Sequence, residues 1–124
     1  VLNAPNGHYR YEAQKSLFFG KTTSTFGTTA YLQFPVIAGK KLTKVKLTMG
    51  QQGGKDIILD IFDAAGESVS DGSYKTLTGS PSGGTPTEYS HEFIIAGVND
   101  TAYRLASMTN GKNLQIAEIV LTYE

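Results

Sequence analysis

Apolar and polar residues alternate with a period of two along several short stretches of the chain, which predicts β-strands that bury one face. The clearest example is 42–49, where hydrophobic residues are separated by lysine and threonine. Residues 89–95 and 101–109 follow the same pattern. Residues 56–63 are almost continuously apolar, as in a central strand that is covered on both sides. A buried helix is the alternative for 56–63, but the short length and the flanking glycines favour a strand.

Two features near the end of the chain predict how the last strands are arranged. Asn110-Gly111 lies between the strand-like stretches 101–109 and 113–123, and this dipeptide is the strongest short-range signal for a two-residue hairpin. Within 113–123 the apolar positions shift by one residue, so a regular strand would place them on opposite faces. We therefore expect a β-bulge at Ala117-Glu118, which would return both apolar sets to one face.

The composition agrees with an all-β chain. Glycine and threonine each occur 14 times among 124 residues, and serine occurs nine times. These residue types are common in tight turns and in pleated strands. We predict a single domain over 1–124, an antiparallel β-sandwich of about eight strands with little or no helix. Because the chain begins with Val1, we expect it to be a domain excised from a larger protein.

Charge, cysteine content and motifs argue against several classes of function. The 11 basic and 11 acidic residues cancel, which argues against binding to nucleic acid or to anionic membranes. The absence of cysteine excludes disulfides and thiolate zinc sites. No apolar stretch approaches the roughly 20 residues of a membrane span, so we expect no membrane insertion. No nucleophile motif such as G-x-S-x-G occurs, and we predict that the protein is not an enzyme.

Acidic residues are concentrated around the apolar stretch 56–63. We interpret Asp56, Asp60 and Asp63 as carboxylates of strand ends and turns. The alternative is a structural calcium site formed by Asp63, Glu67 or Asp71 with loop carbonyls, because calcium takes oxygen ligands from loops. No other cofactor is expected.

The only basic cluster consists of Lys40, Lys41, Lys44 and Lys46. Alternation places Lys44 and Lys46 on the solvent side of a strand, and we predict a solvated edge strand that resists aggregation. Contact with an anionic glycan is the alternative. His91 shares its predicted strand face with aromatic residues, so we interpret it as a packed side chain rather than a metal ligand.

The aromatic residues divide into two groups by their surroundings in the sequence. Those in apolar alternation are predicted to lie in the core: Phe34, Phe62, Phe93 and Tyr123. The tyrosines in more polar segments are predicted to be exposed: Tyr9, Tyr11, Tyr31 and Tyr74.

Exposed tyrosine can stack on a sugar ring and also hydrogen-bond to it, because the side chain joins an apolar ring to a hydroxyl. Arginine can bind a carboxylate or a pair of hydroxyls through its planar donors. The candidate ligand-binding residues are therefore Tyr9, Tyr11, Tyr74 and Arg104. A structural salt bridge to a neighbouring glutamate is the alternative role for Arg104.

Residues 28–123, and within them 31–49, 101–107 and 112–123, resemble the galactose-binding-like jelly-roll β-sandwiches of secreted and cell-surface proteins of gut Bacteroidetes. The resemblance implies a non-catalytic accessory module that binds carbohydrate and is joined to other domains of a larger protein. The alternative is a purely structural or protein-interaction module, such as a spacer or a part of an adhesin. The chain departs from familiar carbohydrate-binding modules because it contains no tryptophan, so the resemblance does not identify a ligand.

Overall fold

The computed structural model of the chain describes ten strands and no helix, where about eight strands were expected. The structure describes the backbone of residues 2–3, 9–11, 16–19, 31–49, 56–70, 75–78, 90–107 and 114–124. It describes side chains within 31–48, 58–70, 90–106 and 116–124. The strands are β1 (Leu2–Asn3), β2 (Tyr9–Tyr11), β3 (Ser16–Phe19), β4 (Tyr31–Gln33), β5 (Leu42–Met49), β6 (Asp56–Phe62), β7 (Lys75–Thr78), β8 (Ser90–Ile94), β9 (Arg104–Ser107) and β10 (Leu114–Tyr123). Within the described residues, no helix is long and apolar enough to cross a membrane.

The strands form two sheets in which every pairing between named strands is antiparallel. The first sheet has the order β1-β4-β9-β6-β7, and the second has the order β2-β3-β10-β5-β8. The chain crosses between the sheets at every connection from β4 to β6 and from β7 to β10. Such crossings bring strands that are distant in sequence next to one another, so long-range contacts decide the topology.

One hydrophobic core joins the two sheets. Leu59, Ile61 and Leu105 come from the first sheet and are fully buried. Val45 and Leu47 come from the second sheet, are equally buried, and belong to the same cluster. The inner faces of the two sheets therefore pack against each other, which confirms an all-β chain with a sandwich-like arrangement.

β5 has the bounds and the alternation that the sequence predicts, but its position in the sheet differs. Val45 and Leu47 are buried, whereas Lys44 and Lys46 are exposed on the outer face. The prediction that this strand lies at the edge of its sheet is wrong, because β5 lies between β10 and β8. Alternation reports which face a side chain occupies and carries no information about the strand's place in the sheet.

The predicted bulge in β10 is confirmed. Ile116 pairs with Met49 and Glu118 pairs with Thr48, so Ala117 is the extra residue. The insertion puts Ile116 and Ile119 on the same face, and the side chains at every second position after Ile119 also pack against the core. A bulge is the physical solution to an odd spacing between two apolar sets on one strand.

The predicted hairpin between the last two strands is wrong. β9 pairs with β4 and β6 in the first sheet, and β10 pairs with β3 and β5 in the second. Asn110-Gly111 itself lies outside the described residues. The dipeptide is a local turn signal, and the partners of both flanking strands come from elsewhere in the chain.

The register of β10 can be tested with two neighbouring residues that point to opposite faces. Leu121 is half-buried against the core and Thr122 is exposed. We expect Leu121→Ala to lower the free energy of unfolding by about 1–3 kcal/mol and Thr122→Ala to lower it by less than about 0.5 kcal/mol. Urea denaturation measures both, and a larger loss for Thr122→Ala would contradict this register.

Candidate functional site

The outer face of the first sheet gathers polar and aromatic side chains from distant segments of the chain. Gln33 on β4 lies opposite Arg104 on β9, and Arg104 lies opposite Phe62 on β6. Phe62 in turn forms a bridge with Ser68, which follows the turn after β6. We call this surface the polar face and define it by six residues: Tyr31, Gln33, Asp60, Ser68, Ser70 and Arg104.

Arg104 connects three parts of the polar face. Its Nε donates to Oε1 of Gln33 at 3.1 Å, and its Nη1 donates to the carbonyl oxygen of Ala64 at 3.2 Å. Its guanidinium carbon lies 3.9 Å from the centre of the Tyr31 ring, which is a cation–π contact. The described partners of Arg104 are thus an amide, a carbonyl and a ring, and together they fix the orientation of the guanidinium plane.

Asp60 holds the segment that follows β6 against the strand. Its Oδ2 accepts a hydrogen bond from Ser68 Oγ at 2.6 Å, and its Oδ1 accepts one from Ser70 Oγ at 2.7 Å. The backbone N–H of Ile61 also donates to Oδ1 at 2.8 Å. Asp60 is 2% exposed, and a buried carboxylate is stable only with such partners.

The turn between β6 and Ser68 is closed by a second carboxylate. Oδ1 of Asp63 accepts hydrogen bonds from the backbone N–H groups of Ala65 and Glu67, both at 2.9 Å. This confirms the interpretation of Asp63 as a turn carboxylate, the usual role of aspartate in such turns. The turn presents the carbonyl of Ala64 to Arg104, so the two carboxylates indirectly support the guanidinium.

Part of the outer face is covered rather than open to solvent. Phe62 is 4% exposed and Ala106 is fully buried, and neither belongs to the core cluster between the sheets. The prediction that β6 is covered on both sides is therefore confirmed, since its outward Asp60 and Phe62 are buried together with its inward Leu59 and Ile61. Phe62 was expected in the core and instead lies on this covered outer face.

The candidate ligand-binding residues lie in different parts of the structure. Tyr9 and Tyr11 lie on β2 at one end of the second sheet, and their side chains lie outside the described part. Tyr74 also lies outside the described residues. Arg104 is therefore the one member of the set whose contacts are described, and the tyrosine beside it is Tyr31.

Tyr31 is half-buried. Its hydroxyl makes no hydrogen bond to any residue that the structure describes. The Tyr31 ring therefore has Arg104 as its partner, and its hydroxyl has no hydrogen-bond partner among the described residues.

Other predicted metal and packing sites are placed as follows. His91 packs edge-on against the Phe93 ring, with the ring centres 4.7 Å apart, which confirms its packed role. In the part of the chain that the structure describes, no group of three or more histidine, aspartate or glutamate side chains is arranged to hold a metal ion. Asp71, one of the proposed calcium ligands, lies outside that part, so the calcium site stays a prediction.

Two loops meet at one end of the sandwich, and we call this region the loop end: residues 34–41 between β4 and β5, and residues 95–103 between β8 and β9. Oδ1 of Asp100 accepts a hydrogen bond from the Gly39 N–H at 2.7 Å. The Asp100 N–H donates to the Lys40 carbonyl at 3.0 Å. Asp100 adopts a positive φ of 57°, which aspartate tolerates better than most residues. These bonds join the two loops directly.

Two tyrosine hydroxyls fasten the loop end to the core. Oη of Tyr103 accepts a hydrogen bond from the Val98 N–H at 2.8 Å. The Tyr123 hydroxyl donates to the Pro35 carbonyl. Burial raises the pKa of Tyr123 above its ordinary value of 10.0, so the hydroxyl keeps its proton and its donor role at neutral pH.

The loop end exposes aliphatic side chains although its backbone is held in place. Val36 is 46% exposed, Ile37 is 42% exposed and Val98 is 63% exposed. They make up three of the five large hydrophobic residues found exposed in the described part of the chain.

The candidate site residues predicted from the sequence did not include Gln33, Ser68 and Ser70, nor the aliphatic residues of the loop end. A usable signal for the serines was Ser68-Val69-Ser70, an alternating stretch one tight turn after an apolar strand that contains Asp60. For the loop end, the signal was the presence of valine and isoleucine in turn segments, where polar residues predominate.

No protein-family model, curated protein or solved structure matches the chain. The resemblance to galactose-binding-like modules therefore stays a prediction.

Removal of the Asp60 carboxylate should destabilise the protein. Asp60→Ala removes the acceptor of three hydrogen bonds, from Ser68 Oγ, Ser70 Oγ and the Ile61 N–H, so we expect the free energy of unfolding to fall by about 2–4 kcal/mol. Glu67→Ala removes an exposed carboxylate from the same turn and should cost less than about 0.5 kcal/mol. Chemical denaturation measures both, and equal losses would show that the Asp60 contacts do not stabilise this segment.

The loop end depends on a close backbone approach at Gly97. A Cβ atom at this position would lie 2.0 Å from the Leu42 carbonyl oxygen. We therefore expect Gly97→Ala to lower the free energy of unfolding by about 2 kcal/mol or more. Gly39 has a φ of +73° but open space around it, so Gly39→Ala should cost only about 1 kcal/mol. Thermal and urea denaturation measure both losses. A smaller loss of unfolding free energy for Gly97→Ala than for Gly39→Ala would contradict the close approach.

Proposed function

We propose that the domain is a jelly-roll β-sandwich and that it acts as a non-catalytic carbohydrate-binding module of a secreted or cell-surface protein. A jelly roll forms when four antiparallel strand pairs are rolled together, with the first strand paired to the last and the others nested between them. The pairs β3·β10, β4·β9, β5·β8 and β6·β7 have this nesting. They support a jelly roll of eight strands, with β1 and β2 added at the sheet ends.

The contact that carries the functional proposal is the Tyr31 ring against the Arg104 guanidinium, with the Gln33 amide beside it. Sugars are bound by aromatic rings together with a few precisely oriented polar groups. All three residues lie on adjacent strands, and strands position side chains more precisely than loops do. A ligand would therefore meet a site whose geometry exists before binding.

The surrounding contacts explain how this arrangement keeps its shape. Gln33 and Ala64 orient the guanidinium, and the guanidinium in turn fixes the Tyr31 ring. Tyr31 is thus added to the predicted Tyr9, Tyr11 and Tyr74 as a candidate, and its hydroxyl is the atom that we expect to bind a sugar hydroxyl. Pre-organisation of this kind lowers the entropy that binding would otherwise lose.

A glycan array probed with the whole domain, with and without calcium, tests the proposal. We expect binding to at least one glycan class. Tyr31→Ala should weaken that binding by about 1–3 kcal/mol. Tyr31→Phe removes only the hydroxyl and should weaken binding by about 0.5–1.5 kcal/mol while the thermal midpoint stays unchanged. Val120→Ala, on the outer face of the other sheet, is the control and should leave affinity as it is.

Different results would overturn different parts of the proposal. Unchanged affinity in Tyr31→Ala, with losses in Tyr9→Ala, Tyr11→Ala or Tyr74→Ala, would move the site to those tyrosines. Binding that disappears without calcium would favour the predicted structural calcium site. A domain that binds no glycan at all would favour the other function considered, a structural or protein-interaction module.

A further inference from the structure

We propose that Asp63 is a positioning residue for the polar face, although it lies outside that face. The turn that Asp63 closes sets the orientation of the Arg104 guanidinium, and the guanidinium sets the position of the Tyr31 ring. This inference deepens the proposed function, because it states what controls the geometry of the same site. Its consequence for ligand binding rests on the proposed function, whereas its structural consequence can be measured without a ligand.

The turn after β6 depends on bonds made by Asp63. Oδ1 of Asp63 accepts the N–H groups of Ala65 and Glu67, both at 2.9 Å. Its backbone N–H donates to the Glu67 carbonyl, and its carbonyl accepts the Gly66 N–H. Gly66 completes the turn with a φ of 88°, a left-handed conformation that glycine adopts at little cost. One aspartate therefore fixes the path of the backbone on both sides of Ala64.

The Ala64 carbonyl is one of two acceptors that orient the guanidinium. It accepts Nη1 of Arg104 at 3.2 Å, and Oε1 of Gln33 accepts Nε at 3.1 Å. Because β9 lies between β4 and β6, these two bonds reach Arg104 from opposite sides. The guanidinium is planar, so bonds at two of its nitrogens fix both the direction and the tilt of the plane. The loss of either bond removes one of these constraints.

The tilt of the guanidinium determines its contact with Tyr31. The guanidinium carbon lies 3.9 Å from the centre of the ring, and a cation–π contact requires the cation to stay over the ring face. A contiguous series of contacts thus runs from Asp63 through the Ala64 carbonyl and Arg104 to Tyr31. Contiguity alone does not establish coupling, so the test has to measure the coupling itself.

The other carboxylate of this region acts on a different segment. Asp60 binds the hydroxyls of Ser68 and Ser70, which follow the turn. Its bonds hold that segment against β6, and their loss is expected to lower stability. Asp63 instead bonds within the turn whose carbonyl reaches Arg104, so the positioning role falls to Asp63.

Nuclear magnetic resonance of the domain without ligand tests this role. The chain contains two arginines, Arg10 and Arg104, so Arg10→Lys leaves one side-chain Nε–H signal, that of Arg104. The ring current of Tyr31 shifts this signal, and Tyr31→Leu shows its position without the ring. We expect Asp63→Ala to move the Arg104 signal toward the position seen in Tyr31→Leu.

Three further variants separate positioning from a general loss of structure. Asp63→Asn keeps an Oδ1 acceptor and should restore the wild-type signal. Gly66→Ala strains the turn by an independent route and should move the signal in the same direction as Asp63→Ala. Glu67→Ala removes an exposed side chain from the same turn without removing its backbone bonds, and it should leave the signal unchanged.

The consequence for binding is measured with a glycan that the array identifies, at a temperature where every variant is folded. Asp63→Ala should weaken binding about threefold or more, because the Tyr31 ring and the guanidinium would no longer be oriented before the ligand arrives. Asp63→Asn and Glu67→Ala should bind with wild-type affinity.

The possible results distinguish this proposal from the proposed function. An Arg104 signal that stays unchanged in both Asp63→Ala and Gly66→Ala would overturn the positioning role, even if the domain binds a glycan through Tyr31. Equal shifts in Asp63→Asn and Asp63→Ala would also overturn it, because the charge and not the hydrogen bonds would then act. The expected signals in a domain that binds no glycan would confirm the positioning role and contradict carbohydrate binding.

Discussion

The arrangement of the second sheet depends on one constraint, which is that β10 must keep Ile116, Ile119, Leu121 and Tyr123 on the face that packs against the core, while Val120 lies on the outer face. β10 is hydrogen-bonded to β3 on one side and to β5 on the other. It therefore cannot turn about its own axis to bring out-of-step apolar residues back to the core face without breaking both pairings. The extra residue at Ala117 solves this by changing the phase once, between Ile116 and Glu118. Ile116 before the bulge and Ile119, Leu121 and Tyr123 after it then pack in the core between the two sheets.

The packed core supports two outer surfaces that differ in chemistry. On the polar face, Asp60 and Arg104 have several partners each, and the network holds β4, β9 and the turn after β6 together. At the loop end, hydrogen bonds use the backbone and leave aliphatic side chains outside. The polar face presents side chains oriented by hydrogen bonds, and the loop end presents exposed aliphatic side chains.

Much of the local structure could be predicted because it depends on neighbouring residues. The bounds of β5, its buried Val45 and Leu47, the double-sided burial of β6, the packed His91 and the bulge in β10 all follow from the spacing of apolar residues. Asp63 likewise acts where it lies, within its own turn. The candidate site was predicted only in part, since Arg104 was named and its partners Gln33 and Ala64 were not.

The sequence by itself determined that the described part of the chain is all-β, which side chains of β5, β8 and β9 face inward, and where β10 changes phase, because side chains alternate with a fixed period along any strand. Only the tertiary structure decided which strands pair. It placed β9 and β10 in different sheets despite Asn110-Gly111 between them, and it put the lysine-bearing β5 inside its sheet. It also assembled the polar face and the loop end from segments far apart in the chain. The reason is that strand pairing and side-chain contacts across a sandwich depend on long-range packing, which a local pattern does not specify.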